Sequence, residues 1–197
     1  AIDTRRLRTG KLEGEEWDVF TRAIDSMTPI PIWLDDTPAI TPLQLRTKCR
    51  RLHMEKRLDL ILVDYLQLMG SDTRSENRVQ EVSLISRSLK VLARELQVPV
   101  LAAAQLNRAV EQRTDKKPQL SDLRESGSLE QDSDIVMFIH RQDMLEKEST
   151  NKNIAELIVA KHRNGPTHPG IKVVFLENLA KFENAATFSG EYDRKKK

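Results

Sequence analysis

A single carboxylate stands where a run of apolar residues stops. In Asp59-Leu60-Ile61-Leu62-Val63-Asp64-Tyr65-Leu66-Gln67-Leu68 the run delivers Asp64 to the end of what reads as a buried strand. A strand covered on both faces is continuously apolar rather than alternating. An ionised carboxylate there is costly unless it meets a cation or strong donors. In nucleotide-hydrolysing folds that cation is Mg²⁺, while a glycine-rich loop holds the phosphates. Asp64 is therefore the first functional candidate. The plainer reading is an aspartate capping a turn or the next helix, and the run alone does not choose between them.

Three further groups have the right types for related chemistry. Val98-Pro99-Val100-Leu101-Ala102-Ala103-Ala104 reads as a second strand and ends on Gln105. An amide both donates and accepts, so a glutamine at such a point can orient a water or sense a phosphate; it can equally satisfy nearby backbone. Lys161 and Arg163, two apart at another strand end, point to one side of a sheet with His162 on the other. An arginine so placed can act as a finger toward a neighbouring subunit's phosphate. Cations guarding an exposed strand edge are the alternative. The run Ser121-Asp122-Leu123-Arg124-Glu125-Ser126-Gly127-Ser128 is rich in small polar residues, and its backbone N–H groups with Arg124 suit phosphate oxygens. A helix-capping turn would look the same. No aromatic residue is interleaved, so the run suits backbone contact rather than base stacking.

The phosphate cradle itself has no sequence match. A G-x-x-x-x-G-K-[ST] loop needs two glycines before the lysine. Of the seven glycines only Gly10 precedes a lysine, Lys11; Leu12 follows, and Arg5 stands where the first glycine belongs. A nucleotide hydrolase built on this sequence would be a piece of a larger one.

The elements that must position these groups are legible. Residues 13–27 read as an amphipathic helix with Trp17, Phe20, Ile24 and Met27 on one face, closed by Pro29 and Pro31. Ile30–Leu34 reads as a short strand. Thr41-Pro42 opens a second helix, with Thr41 as cap and proline at the first helical position. Residues 59–64 form the strand ending at Asp64. Residues 78–96 form a strong helix with Val82, Ile85, Leu89, Leu92 and Leu96 buried. Strand 98–104, a polar loop from Asn107 to Gln119, and a short helix or turn over 121–131 follow. Strands are expected at 134–140, 154–161 and 171–176, with a last short one near Lys181–Phe182 and a turn at Asn164-Gly165-Pro166. Helices alternating with apolar strands predict parallel βαβ units; the closing strands predict an antiparallel edge.

Composition narrows the class. The 197 residues suit one domain with a real core. With 39% hydrophobic and 31% charged residues the chain is globular. A net charge of +2 gives no global basic footprint, so any nucleic-acid contact must come from local loops. Arg194-Lys195-Lys196-Lys197 reads as a solvated basic tail. Cys49 stands alone, which excludes an intrachain disulfide. No apolar run has membrane-span length and no signal peptide opens the chain, so a cytoplasmic protein without membrane partners is expected.

Taken together, these segments resemble the C-terminal motor domain of the bacterial replicative DNA helicases, the DnaB family. The matching runs are Ile32–Pro38, Leu60–Leu68, Glu81–Lys90, Ala104–Arg108, Ser121–Asp132 and Ala160–Pro166, in order and over nearly the whole chain. Asp-Leu-Arg-Glu-Ser-Gly-Ser together with Lys-x-Arg-Asn-Gly-Pro is highly specific; the apolar run ending in aspartate is not.

The resemblance implies an α/β, RecA-like P-loop NTPase core. Its sheet would be mainly parallel, flanked by helices, with an antiparallel C-terminal edge. Residues 1–190 would be a partial motor domain, truncated at its N-terminal side, and 191–197 the tail. The resemblance also implies a homohexamer that moves 5′ to 3′ on single-stranded DNA, unwinds duplex at the fork and hydrolyses ATP with Mg²⁺ between subunits. Primase and a helicase loader would be its partners. Asp64 would be the metal-associated aspartate and Gln105 the γ-phosphate sensor. Lys161 and Arg163 would reach ATP on the adjacent subunit, Arg163 as the finger. Arg124, Glu125 and Gly127 would touch the DNA backbone.

Against the family pattern, the P-loop and the catalytic glutamate that follows it lie upstream of what is Ala1 here, and Glu13, Glu15 and Glu16 do not replace that glutamate. The isolated chain is therefore expected to be inactive. Two other readings remain open: a related RecA-like recombinase-type ATPase, and a non-catalytic interaction module.

Overall fold

The computed structural model describes residues 1–72, 77–145 and 152–185, without the side chains of 124–126. The basic tail lies outside the described residues.

In chain order the elements are α1 (Thr4–Thr9), α2 (Glu15–Met27), α3 (Pro42–Lys56), β1 (Ile61–Val63), α4 (Arg78–Leu96), β2 (Val100–Ala102), α5 (Gly127–Asp132), β3 (Ile135–His140), α6 (Gln142–Leu145), β4 (Ile154–His162), β5 (His168–Leu176) and β6 (Lys181–Asn184). Short 3₁₀ stretches cover Leu66–Leu68, Arg108–Gln112, Leu120–Ser126 and Glu177–Leu179. The two longest helices after α2 start where their side chains cap them. Thr41 accepts from Gln44 N–H while the Gln44 side chain accepts from Thr41 N–H, and Pro42 occupies the first turn, where its missing donor costs nothing. Asn77 accepts from Val79 N–H at the start of α4.

Strands β1 and β2 pair in parallel, with Ile61 opposite Val100 and Val63 opposite Ala102. Strands β3 to β6 form a four-stranded sheet in that order, with β5 and β6 antiparallel. The chain divides into two compact units. One comprises Ala1–Asp35, Ile139–Leu157 and the described residues from Gly170 on; the other comprises Asp36–Phe138 and Ile158–Pro169.

The second unit holds every candidate site residue and three apolar clusters. Cys49, Leu58, Ile61, Leu92 and Val98 pack α3 and α4 on β1. Leu66, Met69, Ile85 and Leu89 bury the turn after β1 against α4. Leu123, Val136, Phe138 and Ile158 seat the 120–126 stretch on β3 and β4. In β3 burial alternates residue by residue, Val136, Phe138 and His140 inward. Gly70 is required by packing: a Cβ there would lie 2.4 Å from the Ala39 carbonyl oxygen.

In the first unit, Arg141 pairs with Asp143 at 3.0 Å and stacks 4.5 Å above the Phe175 ring. The Asn153 N–H donates to Asp143 at 2.9 Å. The hydrogen bond from Arg141 holds the Asp143 carboxyl below its ordinary value, aided by Asn153 N–H and opposed by burial.

One expected element is absent. Ile30–Leu34 forms no strand; Leu34 is 94% exposed. Pro29 and Pro31 remove two ladder donors, and no described strand lies against the segment. Part of the Asn107–Gln119 loop folds instead as the 3₁₀ stretch 108–112, begun by Asn107, which accepts from Ala109 N–H.

Candidate functional site

Parallel pairing brings the ends of β1 and β2 side by side, so the residues that follow them, Asp64 and Gln105, leave the same edge of the sheet. The pairing continues past the strands: Ala103 N–H donates to Val63 C=O at 2.9 Å, and Leu66 N–H to Ala103 C=O at 3.0 Å. The Asp64–Tyr65 peptide is cis. Both the Asp64 and Gln105 side chains are exposed. Neither makes a hydrogen bond or ion pair among the described residues. Their backbones are fixed while their functional atoms are left unengaged. That arrangement suits a ligand at the carboxyl edge of an open α/β sheet.

Gln67 escaped the sequence reading. Its amide donates to Gln105 C=O and accepts from Gln105 N–H, each at 3.2 Å. Its own carbonyl accepts from Arg78 Nη2 at 2.7 Å. The available signal was an amide set between Leu66 and Leu68 in an otherwise apolar run.

Lys161 and Arg163 meet a different part of the unit. Lys161 Nζ donates to the carbonyls of Glu130, Ser133 (2.7 Å) and, more weakly, Gln131 (3.4 Å). These are acceptors left open at the C-terminal end of α5, where a cation is favoured. Arg163 Nη1 pairs with Asp134 Oδ1 at 3.1 Å and its Nη2 approaches Gln131 C=O at 3.4 Å. The structure gives Lys161 three carbonyls, and Arg163 an exposed carboxylate and a share of the Gln131 carbonyl. His162 turns elsewhere, its ring over Gly165 and Nδ1 3.3 Å from Pro166 O.

The far end of α5 is the Ser121–Ser128 run. The 120–126 backbone is a 3₁₀ stretch leading into α5. The side chains of Arg124 and Glu125 lie outside the described residues. Gly127 has φ −52°, which any residue adopts, and a Cβ there would meet nothing within 4 Å. Among the described residues, neither backbone nor packing therefore needs a glycine at 127. Asp122, buried, takes both Arg113 Nη atoms at 3.0 and 2.7 Å and accepts from Gln119 N–H. This closes the loop between Gln105 and the run.

Helix α5 is also clasped along α4. Ser83 bonds Ser128 at 2.8 Å, Ser86 bonds Asp132 at 2.9 Å, and Lys90 bonds Asp134. The Lys90 hydrogen bond holds the Asp134 carboxyl below its ordinary value, against burial, which raises it; Arg163 and Lys161 add to the lowering. Thus the polar run and the cation pair sit at opposite ends of one short, heavily bonded helix.

Among the described residues no helix is long and apolar enough to cross a membrane.

Comparison with known proteins agrees with this architecture. The model of the DnaB-like helicase C-terminal domain matches residues 1–184. The replicative DNA helicase DnaB of Geobacillus stearothermophilus is 54% identical over 184 residues, and the replicative DNA helicase DnaC of Bacillus subtilis 53%. Each alignment takes in 93% of this chain, which spans about 40% of the length of either relative. The DnaB of Mycobacterium leprae is 48% identical over 91% of this chain and 30% of its own length. Among solved structures, the ATPase domain of one relative superposes with a TM-score of 0.87 at 38% identity, over 93% of this chain and 66% of that one. A DnaB-like replicative helicase studied for its interactions with primase gives the same score and identity over 93% of this chain and 44% of that one. The fold is the α/β, RecA-like one, and the chain belongs to the DnaB-like helicase C-terminal domain family.

Proposed function

We propose that this chain is the motor part of a replicative DNA helicase. In this reading residues 1–190 form the motor domain and 191–197 a basic tail. The protein works as a homohexameric ring that moves 5′ to 3′ on single-stranded DNA and separates duplex at the fork. ATP hydrolysis between subunits drives it. The observation that carries the reading is the pair Asp64 and Gln105, unengaged side chains on fixed backbones at the carboxyl ends of adjacent parallel strands.

The donor set fits Mg²⁺ arriving with a nucleotide. Asp64 offers one exposed carboxylate, and Mg²⁺ prefers one or two carboxylates completed by water and phosphate oxygens. No described cluster of three or more ligating side chains offers a fuller cage. When bound, the ion supplies neutralisation of charge on the β- and γ-phosphates. Asp64 would hold it. Gln105 would orient the attacking water or sense the γ-phosphate. Lys161 and Arg163 would reach ATP on the next subunit, Arg163 as the finger. The sequence has no G-x-x-x-x-G-K-[ST] loop, so the phosphate cradle must come from residues outside it, and the chain alone is expected not to turn over ATP.

Arg124, Glu125 and Gly127 would contact the DNA backbone. The glycine that folding does not require supports this, since a missing side chain allows close approach of a ligand. Primase and a loader are the proposed protein partners; interactions with primase are described for one solved relative.

The test is strand separation by the full-length protein on forks bearing a single 5′ or a single 3′ tail. ATP-dependent unwinding of the 5′-tailed fork is expected. Filament formation without strand separation would point to a recombinase-type ATPase, and indifference to nucleotide would point to an interaction module.

A further inference from the structure

We infer that Gln67 is a positioning residue for the proposed nucleotide sensor Gln105, and that Arg78 secures it. The inference rests on the reading of Asp64 and Gln105 given above. Its geometric basis is a ring of two hydrogen bonds. Gln67 Nε2 donates to Gln105 C=O, and Gln105 N–H donates to Gln67 Oε1, both at 3.2 Å. A primary amide thus pairs with the N–H and C=O of one residue as a neighbouring strand would.

The position of this ring explains its use. Regular pairing of β1 with β2 ends at Val63–Ala102. Two further backbone bonds, Ala103 to Val63 and Leu66 to Ala103, carry it one step on. Beyond them the chain after Asp64 turns away through the 66–68 stretch, and among the described residues it is the Gln67 side chain that still hydrogen-bonds β2's continuation. Without it the backbone of Gln105 would have no hydrogen-bond partner from the β1 side among the described residues, and the residues between Ala104 and Asn107 would be freer to drift from the Asp64 turn.

The clamp is itself anchored. Arg78 Nη2 donates to Gln67 C=O at 2.7 Å while Nη1 pairs with Glu81 at 2.8 Å. Leu66, on one side, is 2% exposed and packed under Ile85 and Leu89. Gln67 is therefore held from its backbone, and its side chain is committed to Gln105's main chain. Gln105's own amide stays exposed and unengaged. A sensor needs this combination: a fixed root and a free tip. Precise placement matters because displacing a reacting group by about 1 Å can cost on the order of 10²-fold in rate.

The experiment uses the full-length protein and compares Gln67→Ala, Gln67→Glu, Gln105→Ala and the Gln67→Ala/Gln105→Ala double variant. Gln67→Glu keeps the size and the acceptor for Gln105 N–H but loses the donor. The readouts are kcat and KM for ATP with single-stranded DNA, the melting temperature, and hydrogen exchange at the Gln105 amide. Both Gln67 variants are expected to lower DNA-stimulated kcat about tenfold, equivalent to ~1.4 kcal/mol, with KM little changed. The Gln105 amide should exchange faster in Gln67→Ala. The double variant should be no slower than Gln105→Ala, because a residue acting only through another is non-additive with it. Additive losses, or a fall in kcat that tracks a fall in melting temperature, would make Gln67 merely structural and overturn the inference. Wild-type kcat in both Gln67 variants would overturn it with the sensor reading intact. Wild-type kcat in Gln105→Ala would remove the sensor reading and Gln67's role with it.

Discussion

Arg163 Nη1 lies 3.1 Å from Asp134 Oδ1, and both side chains are about half exposed, 48% and 53%. An exposed ion pair of this kind contributes ~0–1 kcal/mol. Paired, charge-assisted bonds from arginine to phosphate are stronger. In the proposed ring the pair would be a resting contact, weak enough for a neighbouring subunit's nucleotide to displace. The Lys90 hydrogen bond holds the Asp134 carboxyl below its ordinary value, so it is ionised and the contact is present at neutral pH.

Arg163→Ala in the full-length ring is expected to lower ATP turnover by ~10³–10⁵, the range for an arginine finger, while the mutated subunit still binds ATP. Asp134→Asn removes the resting contact together with the Lys90 ion pair, and, each exposed pair being worth ~0–1 kcal/mol, should leave turnover within about fivefold. Steady-state hydrolysis and nucleotide titration check both. Equal losses in the two variants would make the pair structural.

Lys161 makes the opposite prediction for stability. Its ammonium serves three carbonyls at the end of α5. Lys161→Met removes this donor from the Glu130 and Ser133 carbonyls, Gln131 keeping Arg163, and should cost about 1–3 kcal/mol. Arg163→Ala should cost under about 1 kcal/mol. Denaturant midpoints at constant m distinguish them.

Gly127→Ala should act with opposite signs on folding and on binding. The site is helical in φ and open in space, so alanine is expected to stabilise the protein by about 0.5–1 kcal/mol. Single-stranded DNA affinity should nevertheless fall, to a similar degree for every sequence tested, because phosphate contacts carry no sequence information. Unchanged affinity would remove Gly127 from the DNA contact.

The Arg141–Asp143 pair sets an acid limit. Asp143's carboxyl is held below its ordinary 3.8. Its contribution to stability is complete above that value and lost as pH falls through the lowered, folded one. Asp143→Asn should therefore flatten the loss of stability with acid below about pH 4, measured by urea midpoints across pH. A wild-type slope in the variant would show that other carboxylates set the limit.

The sequence was most legible where local chemistry decides. Helix α4 starts and ends at the expected residues because Asn77 caps a long apolar stripe and Gln97 closes it in the left-handed region. Thr41-Pro42 did the same for α3. The first two strands were expected longer than they are and the last three shorter: the 59–64 run shows where a strand must pass, whereas ladder length depends on a partner. Ile30–Leu34 failed for that reason, its apolar composition counting for less than two prolines and a missing neighbour. Asp64 and Gln105 could be singled out as candidates because a polar residue ending an apolar run is a local signal. Gln67 was not, since its role lies wholly in a bond across thirty-eight residues. Nor could composition show that Lys161 and Arg163 take unequal partners, which depends on where α5 ends.

The most direct test of the account is Mg²⁺-dependent ATP hydrolysis by the full-length protein carrying Asp64→Ala, with and without single-stranded DNA. Asp64 has no partner among the described residues, so the variant should melt with the wild type. Its kcat should fall on the order of 10²–10³-fold, the loss expected when one charge-stabilising group is removed. Turnover close to wild type, still stimulated by DNA, would contradict the account and move the nucleotide site away from the ends of β1 and β2.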